Sequence, residues 1–181
     1  MNLIRQIPNI LSILRIFMSL SILLVSSNPI VIVIMMLFCG LTDILDGYIA
    51  RKFGYQSLLG ARLDSLGDYV FFLVLVLYFS IWHLGLIKAN VLLLSIVIAT
   101  RVGSLIISWV KNKKAYSLHT IANKVTGIVV FIGVIITIIV EKQIVVAIVL
   151  IVSMLSAIEE LLIMLIKDKP DINIKSIFRL R

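Results

Sequence analysis

Charge is what this chain has least of. Of its 181 residues only 14% are Asp, Glu, Lys or Arg, against 61% that are hydrophobic. The mean hydropathy is +1.18. So little polar surface excludes an ordinary soluble domain and points to an integral membrane protein. Cysteine is almost absent as well. Cys39 is alone, inside an apolar run, which excludes an internal disulfide and a metal–thiolate cluster and leaves it a small packing residue. There is no internal repeat and no low-complexity linker. The first apolar segment lacks a small-residue cleavage site, so it reads as a retained anchor rather than a cleaved signal.

What is present is a series of apolar runs. A spanning helix takes about 20 mainly apolar residues. Six such spans are expected, near 9–25, 30–52, 59–82, 88–110, 118–140 and 144–166. The break at 83–90 is the weakest. Residues 1–8 are amphipathic and are expected to form a short interfacial helix ended by Pro8. The predicted fold is therefore all-α: one transmembrane domain over 1–181, with six helices, a short N-terminal interfacial helix and a basic tail at 167–181.

The net charge of +8 is a topology signal rather than a nucleic-acid footprint. Arg5, Arg51, Lys52, Arg62, Lys111, Lys113, Lys114, Lys167, Lys169, Lys175, Arg179 and Arg181 fall on one side of the predicted spans, and Lys88 and Lys142 on the other. The positive-inside rule puts both termini and the first group on the cytoplasmic side, beside anionic headgroups.

Against this apolar background, residues 43–68 concentrate polar groups. Asp43, Asp46, Gly47, Ala50, Arg51, Gly60, Asp64 and Asp68 follow the pattern Asp-x2-Asp-Gly-x2-Ala-Arg-x8-Gly-x3-Asp-x3-Asp. Charges at membrane depth are costly and mark function by default. Crowded carboxylates repel one another, and a hard divalent cation with oxygen ligands relieves that repulsion. Helical spacing puts Asp43, Gly47, Ala50 and Arg51 on one stripe, and Asp64 and Asp68 on one face of the next helix. A short loop makes the two helices antiparallel neighbours whose acids converge. Gly47 and Ala50 leave room for a close-fitting ligand, and Arg51 carries a forked donor suited to phosphate.

This pattern resembles the signature of the CDP-alcohol phosphatidyltransferase family, with every signature position filled. The resemblance implies phospholipid synthesis: transfer of a phosphatidyl group from CDP-diacylglycerol to a small polar alcohol, with CMP leaving. It implies that Asp43, Asp46, Asp64 and Asp68 hold Mg2+ or Mn2+, two ions in all. Asp68 would also be the base for the acceptor hydroxyl. Gly47, Ala50, Arg51 and Gly60 would shape the cytidine and diphosphate pocket. Pro8 to Arg15 resemble a family segment, Asn-x2-Thr/Ser-x2-Arg, that would bring Asn9, Ser12 and Arg15 toward the nucleotide; the plainer reading is an interfacial cap with a snorkelling arginine. A homodimer with one site per subunit is implied too.

Ser65 and Tyr69 depart from the proline and lysine usual in relatives that use glycerol 3-phosphate, which weakens that acceptor. Inositol or its phosphate, serine and other polyol phosphates stay open. Two other functions compete: a CDP-aminoalcohol phosphotransferase acting on diacylglycerol, and a cation transporter using the four acids. The transporter would place its acids at mid-membrane within inverted repeats. It leaves Gly47, Ala50 and Arg51 unexplained.

Other polar residues have plainer alternatives. Arg101 and Lys124 either line the acceptor side or meet headgroups and site acids. His119 and His83 read as interfacial. Glu159 and Glu160, inside the sixth span, are neutral or paired, with Arg101 or across a dimer interface.

Overall fold

A computed structural model describes residues 3–25, 28–55, 57–113, 118, 120–167 and 174–179. Helices account for nearly all of it, and no strand occurs among these residues. In chain order they are α1 (Leu3–Ile22), α2 (Pro29–Lys52), α3 (Leu58–Trp82), α4 (Leu84–Ala89), α5 (Val91–Asn112), α6 (Ile121–Val140) and α7 (Gln143–Ile166). A 3-10 turn at Ile177–Arg179 follows. Five of the helices, α2, α3, α5, α6 and α7, are long and apolar enough to cross a membrane, and Gln6–Ile22 is a shorter apolar one. Their outward faces are dominated by Ile, Leu, Val and Phe. Lipid, not water, is the solvent such faces fit, and the helix is the element that satisfies its own backbone there. The chain is an all-α integral membrane bundle.

Local sequence sets the element ends. Asn28 caps α2, its side chain accepting from the Ile30 N–H, with Pro29 at the first helical position where its missing donor costs nothing. Ser57 caps α3 by accepting from the Gly60 N–H at 2.9 Å. Thr120 caps α6 by accepting from the Asn123 N–H at 3.1 Å. The sixth predicted span, α7, ends at Ile166 as expected.

Two expectations need correction. The N-terminal segment is not a separate surface piece ended by Pro8: α1 runs through Pro8 to Ile22. So near the helix start, proline removes one backbone bond without a long helix to break. The weak break at 83–90 is itself helical, as α4, and the next span starts at Val91.

The chain divides into two compact units, Met1–Leu84 and Gly85–Arg181. In the first, α1 packs against both α2 and α3. Ser12 meets Asp46 and Ser19 meets Cys39, so α1 and α2 run antiparallel. Asn9 lies over Gly60 and Arg15 over Gly67, so α1 and α3 run parallel. The acid-bearing helices α2 and α3 do not pack along each other as expected; α1 is the element they share. Cys39 is a buried packing residue.

In the second unit α7 is central, packing against α5, α6 and the 3-10 turn. A Cβ on Gly133 of α6 would lie 2.1 Å from Val149 Cγ2 of α7, so only glycine permits this approach. Leu118, Ile163, Met164 and Ile174 form an apolar cluster at the end of the unit.

Candidate active site

The site lies within the first unit. Asp43 and Asp46 stand near the end of α2, and Asp64 and Asp68 in the first turns of α3. One oxygen each from Asp43, Asp64 and Asp68 lies within 4.8 Å of the others. Asp46 is outside this triple. It is buried, and Ser12 Oγ donates to its Oδ2 at 2.8 Å. The Asp43, Asp64 and Asp68 carboxylates remain about half exposed, at 47%, 47% and 61%. Converging, accessible, hard oxygen donors from two helices are what a Mg2+-type ion requires.

Arg15 was expected either to approach a nucleotide or to snorkel toward the interface. Its guanidinium instead sits among all four acids. Nη2 donates to Asp46 Oδ2 at 2.9 Å and Asp64 Oδ1 at 2.8 Å. Nη1 donates to Asp68 Oδ1 at 2.5 Å and to Asp43 Oδ1. Arg15 is 2% exposed.

Beside the acids opens a cavity of about 340 Å3. Its walls include Asn9, Ser12, Gly47, Ala50, Arg51 and Gly60, expected around a nucleotide, together with Asp46 and Asp64, but not Arg15. The glycines make this space. A Cβ on Gly60 would fall 2.9 Å from Asn9 Oδ1, and one on Gly47 would fall 3.1 Å from Arg51 Nη1. Arg51 thus folds back along α2 over Gly47, one turn earlier. Tyr55 and Ser57 also line the cavity; they sit in the α2–α3 loop, where helical periodicity carries no information about direction.

A second polar cluster lies in the other unit. Glu160 is almost fully buried. Its Oε2 accepts from Arg101 Nη1 and from Asn123 Nδ2, the latter at 2.9 Å, and its Oε1 accepts from the Leu118 N–H at 2.9 Å. Of the alternatives for Glu160, pairing with Arg101 is the one seen. Lys124 is exposed. Glu159 Oε1 accepts from the Ile177 N–H at 3.0 Å. His83 is more than an interfacial residue: it is buried, its Nε2 3.3 Å from Tyr78 Oη, and its backbone caps α3. His119 lies outside the described residues.

The chain is similar in sequence to known proteins over part of its length. The rat cardiolipin synthase (CMP-forming) is 42% identical over 84 residues, 45% of this chain and 27% of that protein. The human cardiolipin synthase (CMP-forming) is 39% identical over 84 residues, with the same coverage. The CDP-diacylglycerol–glycerol-3-phosphate 3-phosphatidyltransferase of Aquifex aeolicus (strain VF5) is 38% identical over 68 residues, 36% of this chain and 38% of that protein. The matched stretches thus span between about a quarter and two fifths of these relatives' lengths. No solved structure matches. The family comparison covers residues 5–162, which take in α1 through most of α7 and every acid of the cluster, and on that match the chain belongs to the CDP-alcohol phosphatidyltransferase family.

Proposed function

We propose that this protein makes a phospholipid by transferring a phosphatidyl group from CDP-diacylglycerol to the hydroxyl of a small polar alcohol, releasing CMP. The observation that carries the reading is the adjacency of the three-carboxylate cluster to a cavity walled by Asn9, Gly47, Ala50, Arg51 and Gly60. A diphosphate needs both positive charge and close backbone approach. Arg51 and the two glycines supply these from the chain itself.

In the proposed reaction the acceptor oxygen attacks the phosphorus nearest the diacylglycerol. The bond from that phosphorus to the bridging oxygen breaks, and CMP leaves with the bonding electrons. The acceptor proton passes to Asp68, the most exposed of the four acids. Asp43, Asp64 and Asp68, with Asp46 behind them, would hold Mg2+ or Mn2+. When bound, two such ions neutralise the diphosphate and the charge that develops on it. Arg51 orients the diphosphate, and Asn9 and Ser12 close the nucleotide side of the cavity.

The donor assignment is supported by the name of the Aquifex relative, which specifies CDP-diacylglycerol for that protein. Glycerol 3-phosphate, also in that name, is disfavoured here by Ser65 and Tyr69. The two units act together as one transferase domain in this reading. The cluster of Lys and Arg at the α2–α3 end supports a cytoplasmic active site with both termini on that side. Homodimerisation, implied by the family, belongs to the same proposal.

Purified protein in detergent with Mg2+, given CDP-diacylglycerol and one alcohol per well, tests it. Acceptor-dependent CMP and a new phospholipid are expected with one acceptor class. CMP formed only from a CDP-aminoalcohol with diacylglycerol would replace this reading with the aminoalcohol phosphotransferase.

A further inference from the structure

Among the described residues of the first unit Arg15 is the most deeply buried charge, and its seat is built for it. Four carboxylates from two helices converge on one guanidinium. Gly67, between Asp64 and Asp68, completes the seat. A Cβ there would stand 3.1 Å from Arg15 Nε and 3.3 Å from Cζ, so even alanine would force the guanidinium to shift. Arg15 Nε is buried without a hydrogen-bond partner. The group is therefore held by its carboxylate contacts, not by a fully satisfied network.

The same carboxylates that Arg15 binds form the triple whose oxygens converge within 4.8 Å. Both a guanidinium and a divalent ion need those lone pairs. A guanidinium takes them at hydrogen-bond distance in one plane, while Mg2+ draws oxygens in to about 2.1 Å. The two cations also repel each other across a few ångströms in a poorly screened setting.

We propose that Arg15 is a positioning residue that acts as the cluster's built-in counter-cation, and that it competes with divalent ions for Asp43, Asp64 and Asp68. This rests on the ion site proposed above. Arg15 holds four mutually repelling acids together across α1, α2 and α3, and in doing so weakens ion binding. A purely structural arginine would hold the helices together without affecting ion affinity.

The test uses Mn2+ titrated into purified full-length protein and followed by its electron paramagnetic resonance signal, alongside thermal unfolding in EDTA and in Mn2+. Arg15→Gln is expected to unfold at a lower temperature in EDTA, yet to bind Mn2+ about tenfold or more tightly, because a like charge beside the ion is removed. Its stabilisation by Mn2+ should exceed that of the wild type. Gly67→Ala keeps the charge and displaces the guanidinium, so it should tighten Mn2+ binding to a smaller degree. It also decides the matter if Arg15→Gln does not fold. Unchanged or weaker Mn2+ binding in the variants would overturn the proposal. Asp64→Asn separates the two readings. If wild-type binding is lost in Asp64→Asn but indifferent to Arg15 and Gly67, the ion site stands and the competition fails. If neither wild type nor variants show Asp64-dependent binding, the ion site itself is wrong, and the competition falls with it.

Discussion

Asn9 on α1 lies directly over Gly60 on α3: a Cβ at Gly60 would stand 2.9 Å from Asn9 Oδ1. The contact joins the N-terminal segment to the signature and forms one wall of the cavity. Gly60→Ala should push the Asn9 amide aside without unfolding the helix, since alanine is the better helix former. The expected result is a several-fold higher KM for the CDP-linked donor, with kcat and melting temperature nearly unchanged. Steady-state kinetics at saturating acceptor measure it.

Ser12 gives Asp46 a direct side-chain hydrogen bond from α1. Ser12→Ala removes one of the two donors to Asp46 Oδ2, leaving Arg15 Nη2, and a hydrogen bond to a charged group is worth about 1.5–3 kcal/mol. A lower melting temperature and reduced turnover should appear together. Ser12→Thr should retain most of both.

Much of the site was legible because its chemistry is local. Asp43, Asp46, Gly47, Ala50 and Arg51 lie within three turns of one helix, and Asp64 and Asp68 one turn apart on the next, so helical spacing alone groups them. The span order was legible from apolar runs about 20 residues long. Arg15's place was not. Its partners are 28 to 53 positions away on two other helices, and no spacing rule shows that α1 stands between α2 and α3. A lone arginine seven residues past Pro8 suits a snorkelling role equally well by sequence. Tyr55 and Ser57 were missed because a loop gives no periodicity to read.

The approach of α6 to α7 depends on Gly133. Gly133→Ala places a Cβ into Val149 Cγ2. Overpacking of this kind costs about 1–3 kcal/mol, against about 1 kcal/mol gained in helix propensity. With the two carbons only 2.1 Å apart the clash should win. A lower melting temperature is expected, recovered in part when Val149→Ala is added. Additive losses in the double variant would contradict the contact.

Arg101 and Glu160 should behave as a pair. Arg101→Met removes the guanidinium paired with the buried Glu160 carboxylate, a loss of about 3 kcal/mol. Adding Glu160→Met should restore much of it, because the buried charge is gone. Thermal unfolding of the two single variants and the double variant closes the cycle.

The central claim is that the carboxylate cluster and the adjoining cavity perform one ion-dependent transfer. The most direct measurement is CMP release from CDP-diacylglycerol and the accepted alcohol, titrated with Mg2+ from EDTA-treated protein, for wild type and Asp68→Asn side by side. The account predicts saturable Mg2+ activation in the wild type. It predicts at least about a hundredfold loss in Asp68→Asn that excess Mg2+ does not restore. CMP release that persists in EDTA, or that survives in Asp68→Asn, would contradict it.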